Sequence, residues 1–260
     1  MSIDPMDPRS PSQQIADSIR ADITSGVLPP GAQVPSESEL VARFGTSAQT
    51  VRKAIAALKA EGLVEGQRGR GVYVRKRAPM IRVGSDRYAR HLRDSGKAPF
   101  QAEVEALGLD WKQEILELAE VPSPAWVAEQ FGIAPGTTVF VRRRRTWIED
   151  APGKLAPTQL ADSYYELDTV ADTLIRQEDT GPGGGHARLE EKGFRITGIR
   201  EELESRMPTP AEVHALMLRP GVPVVHLKRY VYSGDRTVEA FEAVLAGDRH
   251  TFAYQFAAPE

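Results

Sequence analysis

A chain of 260 residues is too long for one ordinary module and too short for three, so two domains are expected. Apolar side chains make up 41% and charged ones 27%, which supports real cores and excludes a chain disordered throughout; zero cysteines exclude disulfide frameworks, thiolate zinc sites, iron–sulfur ligation and cysteine nucleophiles, and fit a cytoplasmic protein. The net charge of −3 is unevenly divided, with 11 basic and 8 acidic residues up to position 77 and 22 against 28 beyond it, so a small basic module facing a polyanion is expected ahead of a larger acidic one.

No run approaches the roughly 18 apolar residues that span a bilayer, so no membrane partner is expected. Residues 1–12 are polar and proline-rich without an apolar h-region, and read as a short disordered arm rather than a secretory signal. From position 13 to 25, Ile15, Ile19 and Ile23 recur every fourth residue and stripe a helix that Gly26 ends. Val27-Leu28-Pro29-Pro30-Gly31 is a turn, since two prolines stop a helix and Gly31 tolerates positive φ. Ser36 and Glu39 have capping-box spacing for a second helix, buried through Leu40, Val41 and Phe44 and closed by Gly45. A third helix is expected over 48–61, striped by Val51, Ile55 and Leu58, with Gly62 at its end.

Two short helices joined by a tight glycine-containing turn form a helix-turn-helix, whose second helix lies in the major groove with its N-terminal residues towards the bases. Here those residues are Ser47, Gln49, Thr50, Arg52 and Lys53, all off the apolar stripe. Gln49 matches adenine, Arg52 guanine, and Ser47, Thr50 and Lys53 phosphates. Two short β-like runs, 63–65 and 72–74, flank Gly66-Gln67-Arg68-Gly69-Arg70-Gly71. Such a wing lets glycine backbone approach a duplex closely, while Arg68 and Arg70 suit phosphates or a narrow minor groove. Each piece alone is ordinary packing or an ordinary hairpin; all three in this order, on the basic side of the charge break, define a DNA-binding module.

The run Val34-Pro35-Ser36-Glu37-Ser38-Glu39-Leu40, with Phe44-Gly45, Thr50-Val51-Arg52-Lys53-Ala54-Ile55, Leu58, Glu61-Gly62-Leu63 and Gly69-Arg70-Gly71, resembles the winged-helix domain of the GntR family of bacterial transcription regulators over residues 13–74. Ser36 and Gly69 complete the expected DNA contacts. The family often carries arginine where this chain has Ser38 and Ala48, so Gln49, Arg52, Arg68 and Arg70 are expected to carry more of the readout. The first domain is assigned to 9–75, a short basic linker to 76–81 and a second domain to 82–257.

In the second domain a candidate strand with a helix follows the linker. Further strands are expected at 111–118, 139–148, 155–165, 195–204, 224–232 and 238–246, and helices at 123–132, around Leu174, at 186–192 and at 210–218. Strands in hairpin succession with helices between pairs read as α+β with an antiparallel sheet. Pro157-Thr158-Gln159-Leu160-Ala161-Asp162-Ser163-Tyr164-Tyr165, Leu216 with Pro220-Gly221-Val222-Pro223-Val224, and Val238-Glu239-Ala240 with Gly247-Asp248-Arg249-His250-Thr251-Phe252 resemble the UTRA ligand-sensing domain, of chorismate-lyase-like fold, that defines the HutC branch of the GntR family. That resemblance, over about 81–256, implies a small-molecule effector and a repressor released by ligand; because one recognition helix reads only a few base pairs and the basic module's apolar stripes are used up in its own core, a homodimer held by the second domain on a palindromic double-stranded DNA operator is expected.

Arg142 to Arg145 split two to each face of a strand, Arg142 and Arg144 with Phe140 and Thr146, Arg143 and Arg145 with Val141 and Trp147. One pair is solvated; burying the other needs anionic partners, so a carboxylate or phosphate pocket is expected there, with Arg144 the leading candidate beside Arg142. Regulators of this branch that sense sugar phosphates place an Arg-x-Arg pair here but tend to carry Glu where this chain has Ala161. The loop Gly181-Pro182-Gly183-Gly184-Gly185-His186 reads equally as a flexible loop or as a helix N-terminus whose free N–H groups hold an anion, naming Gly184, Gly185 and His186. Gln159, Ser163 and Tyr165 alternate on one strand face, and Glu239 lies on a later strand. None of the five histidines has metal-ligand spacing, and no nucleophile elbow or Walker loop is present, so neither metal nor cofactor nor catalysis is expected; the alternative is an enzyme of chorismate-lyase-like fold tethered to a DNA-binding module.

Overall fold

The computed structural model describes residues 3–67, 69–75, 80–83, 86–88, 96–151 and 153–255. The chain divides into two compact units, Met1–Arg77 with Arg219–Val222, and Ala78–Leu218 with Pro223–Glu260.

The first unit begins with helix α1, Pro11–Thr24, which starts where Ser10 accepts the Gln13 N–H and the Gln13 side chain returns to the Ser10 backbone. From Ile3 onwards this corrects the disordered arm expected over 1–12; Met1 and Ser2 lie outside the described residues. Pro11 and Ser12 are helical, the Gln14 amide exchanges hydrogen bonds of 2.9 and 3.0 Å with the Asp4 backbone, and Ile3 packs against the core. Helix α2, Glu37–Phe44, has the expected Ser36/Glu39 capping box and ends at Gly45, whose φ of +62° is left-handed. Helix α3 spans Ala48–Ala60 and buries Val51, Ala54 and Leu58 against Ile15, Ile19 and Leu40. Strands β1, Val64–Gln67, and β2, Gly71–Val74, pair antiparallel as the wing. The bidentate Arg20–Glu61 pair, at 2.7 and 2.9 Å, ties α1 to the end of α3.

In the second unit strand β3, Met80–Val83, takes in Met80 and Ile81, which the sequence had assigned to the linker. A 3₁₀ turn, Asp86–Tyr88, and helix α4, Pro99–Ala106, lead to strand β4, Trp111–Pro122. Helix α5, Ala125–Phe131, precedes the long hairpin of β5, Thr138–Ala151, and β6, Lys154–Tyr165. The helix expected around Leu174 is two short pieces, α6 at Leu167–Val170 and a 3₁₀ turn at Leu174–Arg176. Helix α7, Gly184–Glu191, starts two residues earlier than expected, because Gly183 and Gly184 adopt φ of +79° and +69°, conformations open to glycine. Strand β7, Gly198–Arg206, helix α8, Pro210–Ala215, and strands β8, Val224–Ser233, and β9, Arg236–Ala246, complete the main elements.

Six strands form one antiparallel sheet in the order β4-β5-β6-β9-β8-β7. Its alternation splits the core. Val139, Val141, Tyr164 and Tyr230 pack with Val127 of α5 on one face; Phe140, Tyr165 and Val231 pack with Val170, Ile175 and Leu189 on the other. A last strand, β10 at His250–Ala253, pairs parallel with β3, an element the sequence reading did not foresee. Pro157 sits inside a paired strand because the β5–β6 register shifts beside it, from Thr146↔Gln159 to Trp147↔Pro157.

Candidate DNA-contact surface and effector cavity

On α3 the core takes Val51, Ala54 and Leu58, leaving Ser47, Gln49, Arg52 and Lys53 exposed and Thr50 partly so. Ser47 caps the helix, accepting the Thr50 N–H at 3.2 Å with its hydroxyl 2.9 Å from Thr50 Oγ1. Ser36 is similarly engaged: its hydroxyl accepts the Glu39 N–H at 3.3 Å and donates to Glu39 Oε2 at 2.6 Å. The caps fix where both helices begin, and so which residues the helix-turn-helix presents. Arg52 Nη1 lies 3.7 Å from Glu37 Oε1, both side chains well exposed. Such a surface pair contributes about 0–1 kcal/mol, little enough for DNA to displace. In the wing, Gly69 takes φ of +72° and Arg70 is exposed; the Arg70 carbonyl accepts from Gln33 Nε2 and from the Tyr73 hydroxyl, each at 3.1 Å. Those two bonds brace the turn that presents Arg70. Arg68 lies outside the described residues.

In the second unit a cavity of about 130 Å³ opens between the sheet and two helix beginnings. Its floor carries Gln113, Arg144, Thr146, Gln159, Tyr165, Arg229 and Phe241, and Gly183–His186 and Ala98–Phe100 border it. At its centre Glu239 is buried and fully engaged. Tyr165 donates its hydroxyl to Oε1 at 2.8 Å, and Oε2 lies 2.8 Å from Arg229 Nη2 and 3.1 Å from His186 Nε2. Burial alone would raise the Glu239 pKa, but the Arg229 charge and the His186 contact outweigh it and hold the carboxyl well below its usual range. Burial, then the Glu239 charge, pushes the Tyr165 phenol up, so it stays a donor.

Of the expected effector contacts, the fold brings together Arg144, Gln159, Tyr165, Gly184, Gly185, His186 and Glu239. Arg142 and Ser163 do not line the cavity. Arg142 shares the strand face but points under the segment after the 3₁₀ turn, donating to the carbonyls of Ile175 at 3.3 Å, Glu178 at 2.6 Å and Gln177. It staples that segment to the sheet, and burial, then the neighbouring Arg144, lowers its pKa to about 10. Ser163 lies beneath Arg144 and accepts from its Nη2 at 2.6 Å, so it acts by aiming that guanidinium. The opposite face resolves the choice within the run: Arg143 pairs with Glu117 and with Asp162, the latter at 3.1 Å, and Arg145 pairs with Glu114 at 2.8 Å. Ala161 stands directly across from Arg144 in the β5–β6 register.

The sequence reading missed Gln113, Arg229 and Phe241. Arg229 carried a signal: it alternates with Leu227 and Val231, both fully buried, and a charge on such an apolar face needs a partner. Among the described residues no group of three or more His, Asp or Glu side chains is placed to hold a metal ion, and no helix is long and apolar enough to cross a membrane.

A winged helix joined to an antiparallel-sheet domain with a polar cavity is the architecture of a DNA-binding regulator with a ligand-sensing domain. Residues 11–74 match the model of the bacterial regulatory proteins of the gntR family, and residues 106–251 match the UTRA domain. The chain is 34% identical to an HTH-type transcriptional regulator of Streptomyces coelicolor, over 98% of this chain and 96% of the relative. It is 26% identical to the histidine utilization repressor of Pseudomonas aeruginosa, over 92% and 88%. A GntR-family regulator of known crystal structure superposes with a TM-score of 0.64 at 26% identity, over 96% of this chain and 99% of that one. The chain therefore belongs to the GntR family of transcriptional regulators, in the branch whose DNA-binding domain is joined to a ligand-binding UTRA domain.

Proposed function

We propose that this regulator is a cytoplasmic repressor that binds a pseudo-palindromic operator as a homodimer and is released by a small anionic effector. Residues 9–75 read the DNA, 76–79 link, and the domain that begins with β3 at Met80 binds effector and holds the dimer. Gln49 and Arg52 read bases, Lys53 and the capped helix starts at Ser36 and Ser47 with Thr50 meet phosphates, and the wing at Arg68, Gly69 and Arg70 tracks the backbone. One recognition helix spans only a few base pairs, so two-fold symmetry is what supplies enough contact for a specific site.

The observation that carries the effector assignment is Arg144. Its guanidinium opens onto the cavity, its Nε is buried without a hydrogen-bond partner, and among the described residues no carboxylate lies within ion-pair distance of it. A buried cation without a direct ion pair is costly even with the Glu239 charge nearby, so the site is arranged to receive an anion. Glu239, engaged by three donors, is arranged to organise the cavity rather than to move protons, which favours sensing over catalysis.

Selection from random duplexes with the purified protein tests the DNA reading. It should recover an inverted repeat bound by two chains, and Arg52→Ala should lose about 1–3 kcal/mol and relax specificity at one position per half-site. Undiminished operator affinity in that variant would remove Arg52 from the interface.

A further inference from the structure

We infer that the cavity takes a compact monocarboxylate lacking any cationic group, and not a phosphate ester; this rests on the reading of the cavity as the effector site. The charges set the class. Among the described residues three arginines reach the cavity, and two already face carboxylates: Arg229 meets Glu239 at 2.8 Å, and Arg87 meets Glu103 at 3.4 Å. Arg144 is the third: it donates to the neutral Ser163 hydroxyl and lies over the Phe241 ring, 5.9 Å from its centroid, with no direct ion pair among the described residues. The second arginine of the Arg-x-Arg pair, Arg142, is committed to three backbone carbonyls and adds no binding charge to the cavity.

The Glu239 charge reaches Arg144 only at a distance, since its oxygens are taken by Tyr165, His186 and Arg229, so one guanidinium without a direct ion pair matches one negative charge. A phosphate ester carries about −1.5 to −2 near neutral pH and would leave excess charge in a buried site. A carboxylate matches the fork of a single guanidinium through two parallel hydrogen bonds. Glu239 excludes ligand ammonium groups for the converse reason: its oxygens already receive Tyr165, Arg229 and His186, so no free carboxylate awaits a cation.

Size points the same way. A cavity of about 130 Å³ is near the roughly 150 Å³ that accommodates a benzene ring, so a compact body is enough to fill it. A hexose phosphate is larger than that ring. The rest of the lining pairs the apolar rings of Phe100 and Phe241 with the neutral groups of Gln113, Thr146 and Gln159. This combination suits a short apolar or hydroxylated body behind the carboxylate.

Calorimetry and thermal shift on the full chain, with acetate, lactate and benzoate against inorganic phosphate, glucose 6-phosphate and glycine, provide the test. At least one of the three carboxylates should bind and raise the melting temperature, the other three compounds should not, and Arg144→Gln should weaken binding at least tenfold. Circular dichroism checks that Arg144→Gln folds; if it does not, Ser163→Ala, which leaves the charge but releases its aim, should weaken binding several-fold. Binding of glucose 6-phosphate or phosphate that is lost with Arg144 would overturn the carboxylate assignment while keeping the anion site. Binding of none of the six, or binding that neither variant changes, would overturn the site itself.

Discussion

Arg142 and Arg144 stand two residues apart on one strand face and do different work, which makes them separable. Arg142→Met keeps the apolar stem and deprives the carbonyls of Ile175, Gln177 and Glu178 of their donor. Water can reach the exposed Gln177 and Glu178, but Ile175 is buried, and one unsatisfied buried acceptor costs about 1–3 kcal/mol, so urea denaturation should show a loss of roughly that size. Glu239 makes a pH-dependent prediction. Its folded pKa is depressed, so it contributes stability that is present above the unfolded carboxylate value of about 4.3 and lost as pH falls through the lower folded value. Glu239→Gln should therefore lose about 3 kcal/mol at pH 7, by leaving Arg229 buried without its counter-ion, and should show a shallower stability loss below about pH 4 than the parent protein. Equal acid sensitivity in urea melts of the two proteins would show that Glu239 is not the buried charge it is taken to be. At this scale the sequence was only partly legible. It placed Arg144 on a face shared with Arg142, but which guanidinium turns to the cavity depends on carbonyls more than thirty residues away, and no local pattern encodes that.

The elements of the first unit were the most legible because their ends are written in local chemistry. Ser36 with Glu39, Gly45 and the apolar stripe of α3 each fix a boundary without reference to the rest of the chain. The same chemistry at Ser10 and Gln13 went unread, since proline-rich composition outweighed a capping box that the structure uses. In the second unit β10 was missed because four residues pairing in parallel with β3, some 170 positions earlier, leave almost no periodic signal. The glycines before α7 were ambiguous for a different reason: glycine alone does not distinguish a loop from a helix start, and the backbone angles do. The wing carries this scale's prediction. Gln33 and Tyr73 brace the turn that exposes Arg70, so Arg70→Ala should weaken binding to many sequences alike and reduce the salt slope of log K by about 1, as loss of one phosphate contact requires. An unchanged slope would place the wing away from the DNA backbone.

At the scale of the whole molecule, the charge break near residue 77 and the two compact units describe the same division, a basic reader of polyanions and an acidic sensor. Coupling the two requires the effector to bind the DNA-competent and DNA-incompetent arrangements unequally, and the linkage is reciprocal. Operator affinity of the intact protein, read by fluorescence anisotropy with and without a saturating cavity ligand, is the decisive quantity. The parent protein should lose about tenfold to a hundredfold in affinity when ligand is added, and Arg144→Gln should show no such loss at the same ligand concentration. Operator affinity that stays constant while calorimetry shows the cavity filled would contradict the assignment of this cavity as the switch.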